Sequence, residues 1–357
     1  MRELPEMNSR ERVFTTLRHE EPDVFPLTDN IYMQKALEGV MGERPVTTDM
    51  PEKYLKVCKI LNFDLIVTRT SPPSFKPRDP TATVEKDRWG RIFKVDNKND
   101  MLWYVEGPVK TKEDYRNLSL GAPDESMIKA AKRLIKLTEG EYAIAGDVGG
   151  PFTESWELMG FNAFTTMMYR DPVFVSRVCA DVARWHIELG KLFIEAGTDI
   201  IRIGDDLGGA GAPLISPNKF REVISPHLSE MVKTFKRLGV KVLLHSDGYV
   251  MDFIRDFIDM GIDGLHPIER AAGMNLGMMK DKYGDRLTLV GNVDGKYLVP
   301  SGSKEEIEEQ VVQCIKTAGP GGGYILATDH SIHLGISGER ARFLFRVARK
   351  HGAYPIS

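Results

Sequence analysis

The sequence predicts a (β/α)8 barrel, an α/β fold of eight parallel strands alternating with helices, with an N-terminal helical extension and a small β-insertion. Three observations predict it. Short apolar runs recur at 24–27, 64–68, 142–146, 199–203, 240–244, 263–266, 287–290 and 324–327. They are nearly continuous rather than alternating, as expected of strands buried on both faces of a parallel sheet. Helical stretches separate most of them, and eight such units suit a closed barrel better than an open sheet. The first run also leads into Thr28-Asp29-Asn30-Ile31-Tyr32, without a glycine. A doubly wound nucleotide-binding sheet would place its Gly-rich phosphate turn there. The later Gly-rich segments, 146–150, 204–211 and 319–323, do not match GxGxxG.

The elements follow in order. Asn8, with Glu11 three residues on, reads as a capping box that opens a helix through about Leu17, inside an extension covering 1–22. Residues 78–107 alternate around Trp89-Gly90-Arg91 and predict a β-hairpin or small β-insertion between the second and third strands. It is read as a rim or lid element, with a plain structural role equally open. Helical patterns at 172–196, 217–238, 250–260, 275–283 and 304–317 fill the second half. The 357 residues exceed the usual length of about 150 per domain, but barrels of this kind run that long as one unit. Residues 1–357 are therefore read as a single domain.

Composition excludes several classes. A formal charge of −3 leaves no broad basic surface, so nucleic acid is not an expected partner. No window approaches 18 consecutive apolar residues, and no membrane span is expected. The N-terminus is polar, without an apolar signal core. Cys58, Cys179 and Cys314 lie far apart with no CxxC pair, which fits packed thiols in a reducing cytoplasm.

In a barrel of this type the reactive groups come from the C-terminal ends of several strands. Just past each run stand Asp29 and Asn30, Arg69, Asp147, the pair Asp205–Asp206, His245 and Asp247, His266 and Glu269, Asn292 and Asp294, and Asp329 and His330. Four of the eight histidines (His245, His266, His330 and His333) fall at three neighbouring strand ends. His245-x-Asp247 leaves a strand with both side chains on one face, because residues i and i+2 share a face. Imidazole with carboxylates is a ligand set for Zn²⁺ or a similar divalent ion. A His–Asp hydrogen bond that merely orders the turn is the alternative. Glu269 and His330 are read as further ligands, with a salt bridge from Glu269 to Arg270 or Arg202 left open.

Asp205 and Asp206 are read as a catalytic pair, together with Glu269, since adjacent carboxylates can divide acid and base roles. Helix capping is their structural alternative. Asn30, Arg69 and Asp147 are read as substrate-binding, Arg69 by bidentate grip of a carboxylate. Trp89, Trp103, Tyr104, Trp156, Phe161 and Tyr32 are available to line a pocket for a flat substrate.

These segments carry a family resemblance. NSRERVFTTLRHEEPDVFPL (8–27), GTDIIRIGDD, LISPNKFREVISPHL, the HSDG turn, GIDGLHPIE, YGDRLTLVGNVD and GPGGGYILATDH together resemble the uroporphyrinogen decarboxylase superfamily over nearly the whole chain. The resemblance implies the same barrel. True decarboxylases of that superfamily carry an Arg-Gln-Ala-Gly-Arg segment after the first strand. Here that place reads FPLTDNIYMQKAL, with no arginine. The other branch, the cobamide-dependent methyltransferases, uses a zinc site of H-x-C plus a distant Cys. The matching positions here are His245, Asp247 and His330, so both thiolates are replaced.

The pattern is most similar to the first methyltransferase of anaerobic O-demethylase systems. That likeness implies a small-molecule methyl donor, foremost an aryl methyl ether, and a divalent metal with Zn²⁺ as first choice. It also implies a corrinoid supplied by a partner protein, because no D-x-H-x-x-G corrinoid segment occurs in this chain. A homodimer is left open. The competing expectation is a cofactor-free carboxy-lyase acting through Asp64, Arg69 or Asp147.

Overall fold

The structure, a computed structural model, describes residues 7–70, 83–96, 98 and 101–356. Asn8 accepts the Glu11 N–H at 2.8 Å and Glu11 accepts the Asn8 N–H at 2.9 Å, so the first helix, Ser9–Thr16, starts with its capping box closed. The strands are β1 (Leu65–Thr68), β2 (Val84–Lys86), β3 (Ile92–Asp96), β4 (Met101–Glu106), β5 (Ala143–Gly149), β6 (Ile200–Gly204), β7 (Lys241–His245), β8 (Gly264–His266), β9 (Thr288–Val293) and β10 (Tyr324–Thr328). β1 and β5 to β10 pair in chain order as one sheet, all parallel. Helices such as Pro172–Glu195, Ser225–Arg237 and Lys304–Ala318 cover its outside.

The eighth expected strand departs from the ladder. The parallel sheet curls through 237° without closing, and 24–27 contributes only isolated bridges. The chain still occupies the gap between β10 and β1. Thr28 N–H donates to Leu326 O at 3.1 Å, Leu326 N–H to Pro26 O at 3.1 Å, and Asp64 N–H to Leu27 O at 2.8 Å. Pro26 has no N–H to give, and the Leu27 N–H is taken by the Asp64 carboxylate at 2.9 Å. Two successive ladder donors are thus missing, which is why the run bridges both edges without becoming a strand.

β2, β3 and β4 form a separate antiparallel sheet inside the stretch expected as a β-insertion; residues 78–82, 97, 99 and 100 of that stretch lie outside the described residues. Gly90, in the β2–β3 turn, adopts φ +85°, a conformation that suits glycine and strains other residues. The helical run 217–238 holds a π-helical segment, Phe220–Ile224, ahead of Ser225–Arg237. Among the described residues no helix is long and apolar enough to cross a membrane. Cys58, Cys179 and Cys314 are buried free thiols.

Two apolar cores result. The larger lies between sheet and helices. The smaller fills the inside of the curl near the strand starts, where Leu65, Ala143, Ile200, Leu243 and Ile325 meet Val13 of the first helix and Leu17, which caps its C-terminus. That helix is pinned by Arg12, which bonds Asp23 at 2.7 Å and Asp64 at 3.2 Å. Leu17 is 3% exposed and plugs the interior. Leu17→Ala is expected to cost about 2–5 kcal/mol, read as a lower midpoint in urea unfolding with an unchanged slope.

Candidate active site

The inward face of the sheet changes character along each strand. Side chains two apart share a face, so Leu65 and Val67 are followed by Arg69, Ala143 and Ala145 by Asp147, Ile200 by Arg202, and Leu243 by His245. Apolar packing therefore gives way to a polar collar at the C-terminal ends. Asp147 and Arg202 are register partners on β5 and β6. Arg202 grips Asp147 through two bonds, at 2.7 and 2.9 Å, and Arg69 backs it at 3.4 Å. Burial alone would raise the Asp147 carboxyl, but the two guanidinium charges outweigh it and hold it below the ordinary range. Arg69 stacks over the Tyr32 ring at 4.7 Å and donates to Asn30 Oδ1.

Next to this collar sits a cluster of imidazole and carboxylate. His245 Nδ1 lies 2.7 Å from His266 Nδ1, so one ring donates to the other. Burial and the neighbouring His245 charge push His266 well down, so it stays neutral. The other nitrogen of His245, Nε2, faces Asp206 Oδ1 at 3.8 Å and Asp247 Oδ1 at 3.7 Å. Among the described residues Asp206, His245 and Asp247 form the one group whose ligand atoms lie within 4.8 Å of one another. Asp247 Oδ1 is sealed from solvent and has no hydrogen-bond partner. His330 Nε2 approaches the other oxygen, Oδ2, at 3.1 Å. That hydrogen bond outweighs burial and lifts His330 to about 9.

The remaining sequence candidates are placed around the cluster. Glu269 accepts the Gly248 N–H at 2.7 Å and so holds the His245–Gly248 turn from outside. Asp205 is fully buried and accepts the backbone N–H groups of Phe152 and Thr153, the latter at 2.7 Å, at the start of the helix Thr153–Met159. Burial pushes it up to about 7 against those donors. Asp205 and Asp206 therefore point apart: the first caps a helix, the second reaches the mouth. Asp64 lies at the opposite end of the sheet, bonded to Ser9, Arg12 and Arg349. His333 bonds Gly295 O at 2.9 Å and stays in its loop.

The β2–β4 sheet roofs a cavity of about 450 Å³ whose floor includes Arg69, Asp147 and Gly204 at the strand ends. Its walls include Trp89, Phe93, Trp185 and His186. Trp89 meets Trp185 edge-on at 5.0 Å. Arg91 ties the roof down, bonding Asp87 at 2.6 Å, Glu157 at 2.6 Å, and Glu154. Of the aromatic candidates, Trp89 reaches this cavity, Trp103 is exposed, and Tyr104, Trp156 and Phe161 pack on one another. A larger groove of about 890 Å³ along the outside of Pro172–Glu195 touches none of the strand-end residues.

Arg202, Trp185, His186 and the Arg91 cluster were not among the sequence candidates. Arg202 was reachable, because it continues the inward alternation from Ile200. Trp185 and His186 lie in the middle of a 24-residue helix, where the sequence reads as core.

Known proteins resemble this chain in sequence and in fold. A uroporphyrinogen decarboxylase from Alkalilimnicola ehrlichii is 28% identical over 66% of this chain and 65% of its own length, just under two thirds. One from Pseudoalteromonas atlantica is 23% identical over 97% of this chain and 99% of its own. Among solved structures, a methyltransferase from Methanosarcina mazei superposes with a TM-score of 0.74, covering 97% of this chain and 99% of that one at 19% identity. A B12-independent methionine synthase from Shewanella gives 0.56 over 93% and 97% at 12% identity. The family model for uroporphyrinogen decarboxylase (URO-D) matches residues 92–351. That span is well over half of the chain, and the protein belongs to the uroporphyrinogen decarboxylase family.

Proposed function

We propose that this chain transfers a methyl group from the oxygen of a small methyl ether, an aryl ether foremost, to the cobalt of a corrinoid carried by a partner protein. The observation that carries the reading is the His245–Asp247 cluster at the strand ends, at the positions where the resemblance to cobamide-dependent methyltransferases implies thiolates. The full-length superposition on a methyltransferase barrel supports it. So does the missing arginine segment after residue 27, which decarboxylation of a polyanionic porphyrinogen would need. We also read the curled sheet, with residues 24–27 as its eighth strand, as a complete (β/α)8 barrel.

In such a transfer the cobalt(I) electron pair attacks the methyl carbon, the carbon–oxygen bond breaks, and its pair stays on the oxygen, which takes up a proton. An ether oxygen leaves poorly unless an acid neutralises it. A divalent metal would serve as that Lewis acid, with an orphaned buried carboxylate oxygen at Asp247 and an imidazole at His245 suited to hold it. Of the three carboxylates read as catalytic, Asp206 reaches the mouth, while Asp205 anchors the loop after β6 to Thr153 and Glu269 holds the turn after β7 at Gly248. The donor ring fits the cavity under the β2–β4 sheet, of ordinary size for a small-molecule site. Arg69 and Asp147 stand on its floor, and Arg69 also bonds Asn30 behind it.

The names of the curated relatives favour a second reading, a metal-free carboxy-lyase. Of the residues it would use, Asp64 lies at the wrong end of the sheet and Asp147 is committed to Arg202. The test mixes the protein with a reduced corrinoid protein and aryl ethers, methylamines or methanol, and follows cobalt(I) converting to methyl-cobalt(III). We expect conversion with an aryl methyl ether. No conversion with any donor, or carbon dioxide release from a carboxylated substrate without corrinoid, would overturn the proposal.

A further inference from the structure

We propose that Asp206 Oδ1, His245 Nε2 and Asp247 Oδ1 are together the protein ligands of a divalent cation, with Asp206 completing the site in place of Glu269 or His330. The inference rests on the reading that this cluster holds a metal, and it names the ligand set and the class of ion.

Geometry separates the candidates. Donor atoms bound to one tetrahedral ion at about 2.0–2.2 Å stand roughly 3.3–3.6 Å apart. Asp206 Oδ1 and Asp247 Oδ1 lie 3.8 and 3.7 Å from His245 Nε2, too far to hydrogen-bond it and a small side-chain rotation from sharing an ion. A buried carboxylate oxygen without a partner is costly, and Asp247 Oδ1 is such an atom, facing this gap. Glu269 is committed elsewhere, its Oε2 on the Gly248 N–H at 2.7 Å. His330 approaches Asp247 Oδ2, the oxygen that does not face His245 Nε2, at 3.1 Å. A donor on the far oxygen of a ligating carboxylate orients that ligand without binding the ion.

The surroundings support the same three atoms. The Asp247 N–H donates to Asp206 Oδ1 at 3.1 Å, which ties the loop after β6 to the loop after β7. Metal binding through Nε2 needs the lone pair there, which makes Nδ1 the N–H of His245, and the 2.7 Å contact with His266 Nδ1 accommodates that tautomer. The Asp206 side chain is 45% exposed, so the site opens to the mouth, where a substrate oxygen can approach. One imidazole nitrogen and two carboxylate oxygens, without sulfur, make a hard set. It suits Zn²⁺ or Mn²⁺ and disfavours thiophilic ions.

Binding of Zn²⁺ and of Mn²⁺ to chelator-stripped protein, by elemental analysis and calorimetry, tests this without any turnover. The wild type is expected to take one ion per chain. Asp206→Asn is expected to weaken binding by about 100-fold or more, whereas Glu269→Gln changes it by less than about tenfold and His330→Gln falls between, as outer-shell changes do. In case Asp206→Asn fails to fold, Asp206→Cys loaded with Co²⁺ gives a gained signal. It should show a thiolate-to-cobalt charge-transfer band, and Glu269→Cys should not. Wild-type affinity in Asp206→Asn, a charge-transfer band in Glu269→Cys but not in Asp206→Cys, or no binding of either ion would overturn the ligand assignment. Methyl transfer by a metal-free protein would also overturn it and leave the proposed function standing. Metal bound as described, with no transfer from any donor, would do the reverse.

Discussion

Replacing Arg202 with leucine is expected to destabilise the protein by about 3–5 kcal/mol, the range for breaking a buried ion pair from one side. Arg202 is 4% exposed, and both its bonds go to Asp147. Without it, Asp147 keeps only Arg69, at 3.4 Å, and Arg69 is already shared with Asn30. The cost is the stranded charge rather than the lost attraction, so two further results should follow. Arg202→Leu combined with Asp147→Leu should recover a large part of the loss, since neither charge then remains buried. The defect should also depend on pH. The two arginines hold Asp147 below its unfolded value, so its contribution is present above about pH 4 and is lost as pH falls further. In the single variant burial acts unopposed by Arg202, Asp147 protonates more readily, and the gap to wild type should narrow toward acid. Urea unfolding of the single and double variants at pH 7 and pH 4 measures both. A single variant as stable as wild type at pH 7 would show that the collar is not held by this pair.

How much of this was legible depends on where the backbone is regular. Along the strands, period two is obeyed, so Arg69, Asp147 and His245 could be placed at the mouth from their spacing to Leu65, Ala143 and Leu243. Arg202 obeys the same rule, but the Asp205–Asp206 pair that follows it is the more conspicuous signal. Past the strand ends the alternation stops, and neighbours diverge. Nothing in the letters Asp205-Asp206 says that the first turns inward onto the Phe152 and Thr153 N–H groups while the second faces His245. Glu269 is illegible for a similar reason: its hydrogen-bond partner is a backbone N–H in a neighbouring loop, which has no sequence signature. The run at 24–27 reads as a strand by composition, and only the absent Pro26 N–H hints that the ladder stops there.

Replacing His245 with alanine is expected to reduce methyl transfer by at least about 10³-fold, because acid assistance to a poor leaving oxygen is worth several kcal/mol and each 1.36 kcal/mol is about tenfold. The fold should survive, since His245 is bonded to one side chain, His266, rather than to the backbone that shapes the turn. The more discriminating variants are at His266. It lies outside the Asp206–His245–Asp247 group, and as acceptor for the His245 Nδ1–H it would leave the Nε2 lone pair facing the carboxylates. A positioning residue of this kind is worth about 10–100-fold. His266→Leu should therefore lose activity in that range, and His266→Gln, which keeps an acceptor for the His245 Nδ1–H, should recover part of it. A residue that only filled space would rank the two the other way, because leucine suits a buried apolar site better than glutamine does. Equal activity in wild type and His266→Leu would leave the orientation of His245 to something else, and steady-state kinetics of the four proteins with one aryl ether decides among these outcomes.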